Sequence, residues 1–131
     1  MLKRFLAPWT EHTYAILRIV IGLLFAFHGA QKIFGIFFPH DIAIGSQAWI
    51  GGLIELVGGI LVALGLFTRY AAFLCSGTMA VAYVQFHWKL QLGAKFLPAI
   101  NEGEPALMYA FMFLFIACRG AGIWSLDGDR R

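Results

Sequence analysis

Three polar side chains, His28, Gln31 and Lys32, fall within one short stretch, FAFHGAQKIFG (25–35), of an otherwise apolar run. On a helix, His28 and Lys32 share a face one turn apart, with Gln31 beside it. The acid that can complete the set is Glu55, alone in GGLIELVGG (51–59). Tyr83 and His87, again four apart, and Tyr109 add two hydroxyls and a second imidazole. Histidine with a carboxylate relays protons near neutral pH. Aromatic rings and tyrosine hydroxyls suit a quinone headgroup, the one cofactor these residues suggest. His28, His87 and Glu55 would also make a two-histidine, one-carboxylate ligand set. No local spacing of the H-x-x-x-H kind supports it, so no metal is expected. The competing reading is structural: Glu55 pairs with Lys32 or a histidine and fixes helix register.

A second polar group comprises Arg18, Arg69, Arg119 and Asp127. Arginines near helix ends anchor to lipid headgroups, their stems snorkelling through apolar surroundings. Alternatively, Arg18 pairs with Asp127 if the C-terminal tail folds back. His12 and His40 are expected in a wet interface or loop. Cys75 and Cys118 show no C-x-x-C or Cys/His spacing, which disfavours a dithiol redox centre.

The elements that must position these groups follow from composition. The chain has 131 residues, of which 60% are hydrophobic and 13% charged, with mean hydropathy +0.76. A soluble domain carries about 25% charged residues, so the expected solvent is lipid. The net charge of +3 comes from basic residues at helix ends, which points to anionic lipid rather than nucleic acid. Four apolar segments, 14–34, 47–67, 70–88 and 105–120, come near the ~20 residues that cross a bilayer. The expected fold is all-α: one domain, an integral-membrane antiparallel four-helix bundle. FTRY (67–70) is a tight turn, and KLQLGAKFLPAINEGE (89–104) alternates as an interfacial segment does. The basic N-terminus and long apolar run read as an uncleaved first membrane helix. Lys3, Arg4, Arg18, Arg69, Arg119, Arg130 and Arg131 fall on one side, and Lys32, Lys89 and Lys95 on the other. The positive-inside rule then puts both termini in the cytoplasm. At 1.5 Å per residue, His28, Gln31, Lys32, Glu55, Tyr83, His87 and Tyr109 all lie in the outer half, from four helices. They are expected to form one pocket. Small residues at spacing four (Gly22, Ala26, Ala30; Gly51, Glu55, Gly59, Ala63) allow close helix packing.

LRIVIGLLFAFHGAQKIFG (17–35), GGLIELVGGILVALGLFTRYAAFL (51–74) and GEPALMYAFMFLFIACRGAGIWSLDG (103–128) together resemble the DoxX family of small bacterial inner-membrane proteins. The resemblance covers nearly the whole chain. It rests on an H-G-x-x-K helix, an intramembrane E-x-x-G-G, a T-R turn and a terminal G-x-G-x-x-S-L-D. His28, Lys32, Glu55, Arg69 and Asp127 match the family's patterned polar positions, and no catalytic role comes with them. The resemblance implies a multi-pass inner-membrane protein serving quinone-linked or oxidative-stress redox processes. It implies a redox partner protein, and leaves open a homo-oligomer and whether the chain is itself an enzyme. Two other classes fit the same residues, a small transporter and a structural module that recruits a membrane complex.

Overall fold

The computed structural model describes residues 1–37 and 41–129, and within them only helices and their connections. His40, Arg130 and Arg131 lie outside the described residues. Helix α1 (Leu2–Leu6) runs through a 3₁₀ turn into the long α2 (Thr10–Phe34). Helices α3 (Gln47–Leu64) and α4 (Thr68–Ala82) follow, and α4 widens into a π-helical turn over Tyr83–Trp88. A loop bearing α5 (Pro98–Asn101) leads to α6 (Glu104–Arg119), and an irregular tail follows.

Helix ends obey local chemistry. Gly35 takes a left-handed conformation (φ 66°) after α2, and its N–H donates to Gln31 O at 2.9 Å. The Ser46 hydroxyl caps α3, accepting from Trp49 N at 3.2 Å. Gly65 (φ 67°) closes α3 with paired bonds back to Val62 and Leu61 carbonyls. Pro105 occupies the first turn of α6, where its missing N–H costs nothing.

Helix α2 packs on α3, α3 on α4, and α4 on α6. The α2–α3 seam is built from glycine. A Cβ at Gly22 would stand 2.6 Å from Ala63 N and Gly59 O, and one at Gly59 would meet Ala26 N at 2.5 Å. The two backbones therefore touch with no side chain between them. The seam between α6 and α2 is the opposite, an aromatic one. Phe25 meets Phe113 and Tyr109 with ring centroids 4.7 and 5.3 Å apart, and Tyr14 meets Phe115 at 5.9 Å. Bulky rings hold those helices apart where glycine lets the other pair close. The Ser76 hydroxyl joins α4 to α6 through Ala110 O at 2.6 Å.

The outward faces are apolar: Leu23, Leu24, Val57, Ile60, Phe73, Phe111 and Phe115 are all exposed. Among the described residues two helical stretches, Leu2–Phe34 and Gln47–Leu64, are long and apolar enough to cross a membrane. Of the other two, α4 stops short of the expected residue 88 as a regular α-helix, and α6 has the length expected of 105–120. Helix α4 is regular only to Ala82, and α6 has 16 residues, or ~24 Å. The first helix, by contrast, starts at Thr10 rather than near residue 14.

One chemical change separates the glycines. Gly59→Ala pushes a methyl into facing backbone and should cost about 3 kcal/mol. Gly77→Ala meets nothing within 4 Å and should be neutral or stabilise by up to ~1 kcal/mol. Unfolding the purified variants in detergent checks both signs.

Candidate functional site

The glycine seam carries Lys32 to Glu55. A Cβ at Gly52 would lie 2.9 Å from Lys32 Cβ, so only glycine there leaves room for the lysine stem to lie across α3. Lys32 Nζ then donates to Glu55 Oε1 at 2.6 Å. The Glu55 side chain is 3% exposed and that of Lys32 36%. The carboxylate is thus the buried partner and the ammonium reaches toward the surface. Glu55 Oε2 is buried and, among the described residues, has no hydrogen-bond partner.

Beside this pair lies a cavity of about 760 Å³ between α3 and α4. The helices meet near their shared turn, where Gly58 abuts Cys75 Sγ, and they separate beyond it. Gly51 and Gly77 line the widened part, and a Cβ on either would find open space. Gly51 therefore leaves the small-residue stripe assigned to it from spacing and faces the cavity instead. At the far end Gln47 Nε2 donates to Gln85 Oε1 and ties the two helices again.

Five of the seven expected pocket residues line the cavity: His28, Lys32, Glu55, His87 and Tyr109. Gln31 and Tyr83 do not. His28 is exposed and meets the Tyr109 ring edge-on at 6.1 Å, rather than facing Glu55. The lysine one turn on has taken the acid. Tyr83 turns to the α4–α6 loop, where its hydroxyl accepts from Asn101 Nδ2 at 3.2 Å. The buried Asn101 is the loop's hub. It also donates to Lys95 O, accepts from Gly103 N, and offers its carbonyl to His87 Nδ1 at 3.3 Å. It is a lone asparagine in a loop with no motif around it, so nothing in the sequence marks it. Phe25 and Phe86 likewise line the cavity and read in sequence as ordinary apolar residues. Among the described residues no group of three or more His, Cys, Asp or Glu side chains could hold a metal ion.

At the opposite end the tail folds back beneath the helices. Leu126 N and Asp127 N donate to Leu64 O and Gly65 O at 3.1 and 2.8 Å. The Asp127 carboxylate then caps α4, accepting from Phe67 N, Thr68 N and the Thr68 hydroxyl at 3.0, 2.9 and 2.7 Å. That cap holds Phe67 in a left-handed conformation (φ 48°) otherwise costly for such a side chain. Arg18 does not snorkel. It is fully buried and donates to Trp124 O at 2.6 Å. Arg69 binds the last carbonyls of α6, with Nη1 2.9 Å from Ala117 O. Arg119 pairs with Glu11 and lies over the Tyr14 ring. His12 packs between Trp9 and Trp124. These residues clamp tail and helix ends to one another.

A family model described as DoxX matches residues 13–88, which span α2, α3, α4 and the π-helical turn. The chain is similar to an uncharacterized protein of Haemophilus influenzae, with 41% identity over 93% of each chain. It is also similar to a Bacillus subtilis protein named "Putative oxidoreductase CatD", with 29% identity over 86% of this chain and 82% of the relative. No solved structure matches it.

The two polar ends give two stability predictions. Lys32→Met strands a buried carboxylate and should cost roughly 3 kcal/mol, whereas Lys32→Met with Glu55→Leu should recover most of the loss. Asp127→Ala removes the cap of α4 and should cost about 1–2 kcal/mol. Chemical unfolding of the four proteins in one detergent measures all of this.

Proposed function

The chain belongs to the DoxX family, and from that premise we propose that it is an inner-membrane accessory of quinone-linked or oxidative-stress redox processes. In this reading the four long helices form an antiparallel bundle that crosses the membrane four times, with both termini in the cytoplasm. The cavity faces the outer half and binds a quinone-type ring. A redox partner enzyme supplies the electron chemistry, since the cavity offers binding and proton-handling groups and no self-sufficient catalytic set.

The observation that carries this reading is a charged pair inside an apolar-walled cavity. An ionisable group in hydrocarbon costs at least ~2.5–3.5 kcal/mol and calls for a partner or a task. Lys32 and Glu55 partner each other, yet one Glu55 oxygen is left over beside a space large enough for a drug-sized ring. Phe25, Phe86 and Tyr109 supply aromatic walls. The oxidoreductase name of the Bacillus relative adds support for redox work. The apolar exterior and the basic residues near one end support the membrane topology. A second reading, a structural module that recruits a membrane complex, draws on the glycine seam and on the ion pair as a register lock.

Titrating a short-chain ubiquinone analogue, in either redox state, into detergent-purified protein separates them. Saturable binding by wild type, weakened at least about tenfold by filling the cavity with Gly77→Phe, is the expected result. Equally weak binding by both proteins sinks the ring-binding reading and leaves the structural module. For the topology, tags at both termini should be reachable only from the cytoplasmic side.

A further inference from the structure

Resting on that reading, we infer that the site selects the hydroxyl-bearing, reduced form of its ring ligand, a hydroquinone or a simple phenol, over the oxidised quinone. The ligand enters sideways from the bilayer, through the gap between α3 and α4.

The chemistry starts from Glu55. A carboxylate only accepts hydrogen bonds. One of its oxygens has Lys32, and the other is buried without a partner among the described residues. A buried acceptor left unpaired is costly, so the ligand that fits must bring a donor. A quinone carries only carbonyl acceptors toward this oxygen. A ring hydroxyl carries the donor. A cationic amine would also donate, but Lys32 and Glu55 already balance in charge. A second cation beside the Lys32 ammonium would leave the apolar cavity with net positive charge. A neutral hydroxyl satisfies Glu55 without disturbing the pair. The ring itself matches the Phe25, Phe86 and Tyr109 walls.

The route comes from the two contacts that frame the gap. Gly58 against Cys75 closes it at one end, and Gln47 to Gln85 bridges it at the other. Between them Phe73, Leu74 and Val81 line the cavity and are also exposed on the outer apolar surface. An apolar ligand dissolved in the bilayer thus meets an apolar entrance with its polar target behind it. Gly51 and Gly77, one on each helix, add no side chain to that entrance. The π-helical turn sets His87 and Phe86 at the same opening, a kind of helix defect that recurs at functional sites.

The test measures affinities of the full chain in detergent, anaerobically by calorimetry, for a short-chain ubiquinol, its quinone and its dimethyl ether. The quinol should bind at least about tenfold tighter than either, as a hydrogen bond to a charged group implies. The ether keeps shape and oxygens but loses both donors, so this comparison needs no variant. Glu55→Gln, with folding checked by its melting temperature, should shrink the preference to within about threefold. Gly77→Phe should weaken all three ligands together. Equal affinities for quinol, quinone and ether overturn this inference and leave the ring-binding reading standing. Saturable binding of none of them overturns both.

Discussion

The close approach of α2 and α3 is the constraint on which the remainder depends. At Gly22, Gly29 and Gly59 the two backbones touch, and at Gly52 there is room for a side chain of α2 to lie against α3. In an apolar solvent no hydrophobic gain drives helices together, and dispersion between closely packed backbones must do it. The same contact has an electrostatic consequence. It lays the Lys32 stem over Gly52 and delivers its ammonium to Glu55. A wider seam would leave that carboxylate buried and alone, which neither lipid nor protein interior tolerates well.

The cavity arises because packing is uneven around the four long helices. Glycine closes the α2–α3 seam, and tilted rings span α6 to α2. Helices α3 and α4 are joined by a turn too short to let them separate at that end, yet nothing fills the space further along. Gly51 and Gly77 carry no side chain there, and a volume of about 760 Å³ remains next to the ion pair. The polar network around Asn101 braces its far rim by tying His87 and Tyr83 to the loop before α6. The resulting cavity combines a neutral charge pair, aromatic walls and exposed apolar lining residues.

The other end of the molecule is tied together by different contacts. A tail without regular structure supplies the Asp127 cap to α4 and the carbonyl that Arg18 binds. Arg69 satisfies the last carbonyls of α6. Helix ends leave unpaired backbone groups, and here residues distant in sequence supply the partners. Arg18 donates to the tail, Arg69 to backbone at the end of α6, and Arg119 pairs with Glu11 of α2.

Much was legible from the residues. Composition and apolar runs gave an all-helical chain with membrane-like segments, because lipid permits little else of that composition. Glycines and a proline stand at helix ends, since their backbone preferences are local. Lone acids and bases in apolar runs marked the candidate site, because burying them is costly wherever they fall. Partner choice lay beyond this reading. That Lys32 rather than His28 meets Glu55, that Tyr83 turns away to Asn101, and that Asp127 caps a helix 59 positions back depend on distances between helices. Spacing along one helix fixes which side chains share a face, but only the packing of one helix on another decides which faces meet and where space is left between them. Residue types and their helical faces were therefore properties of the sequence by itself. The ion pair and the cavity were decided by tertiary structure, because each is made by residues whose only connection is through space.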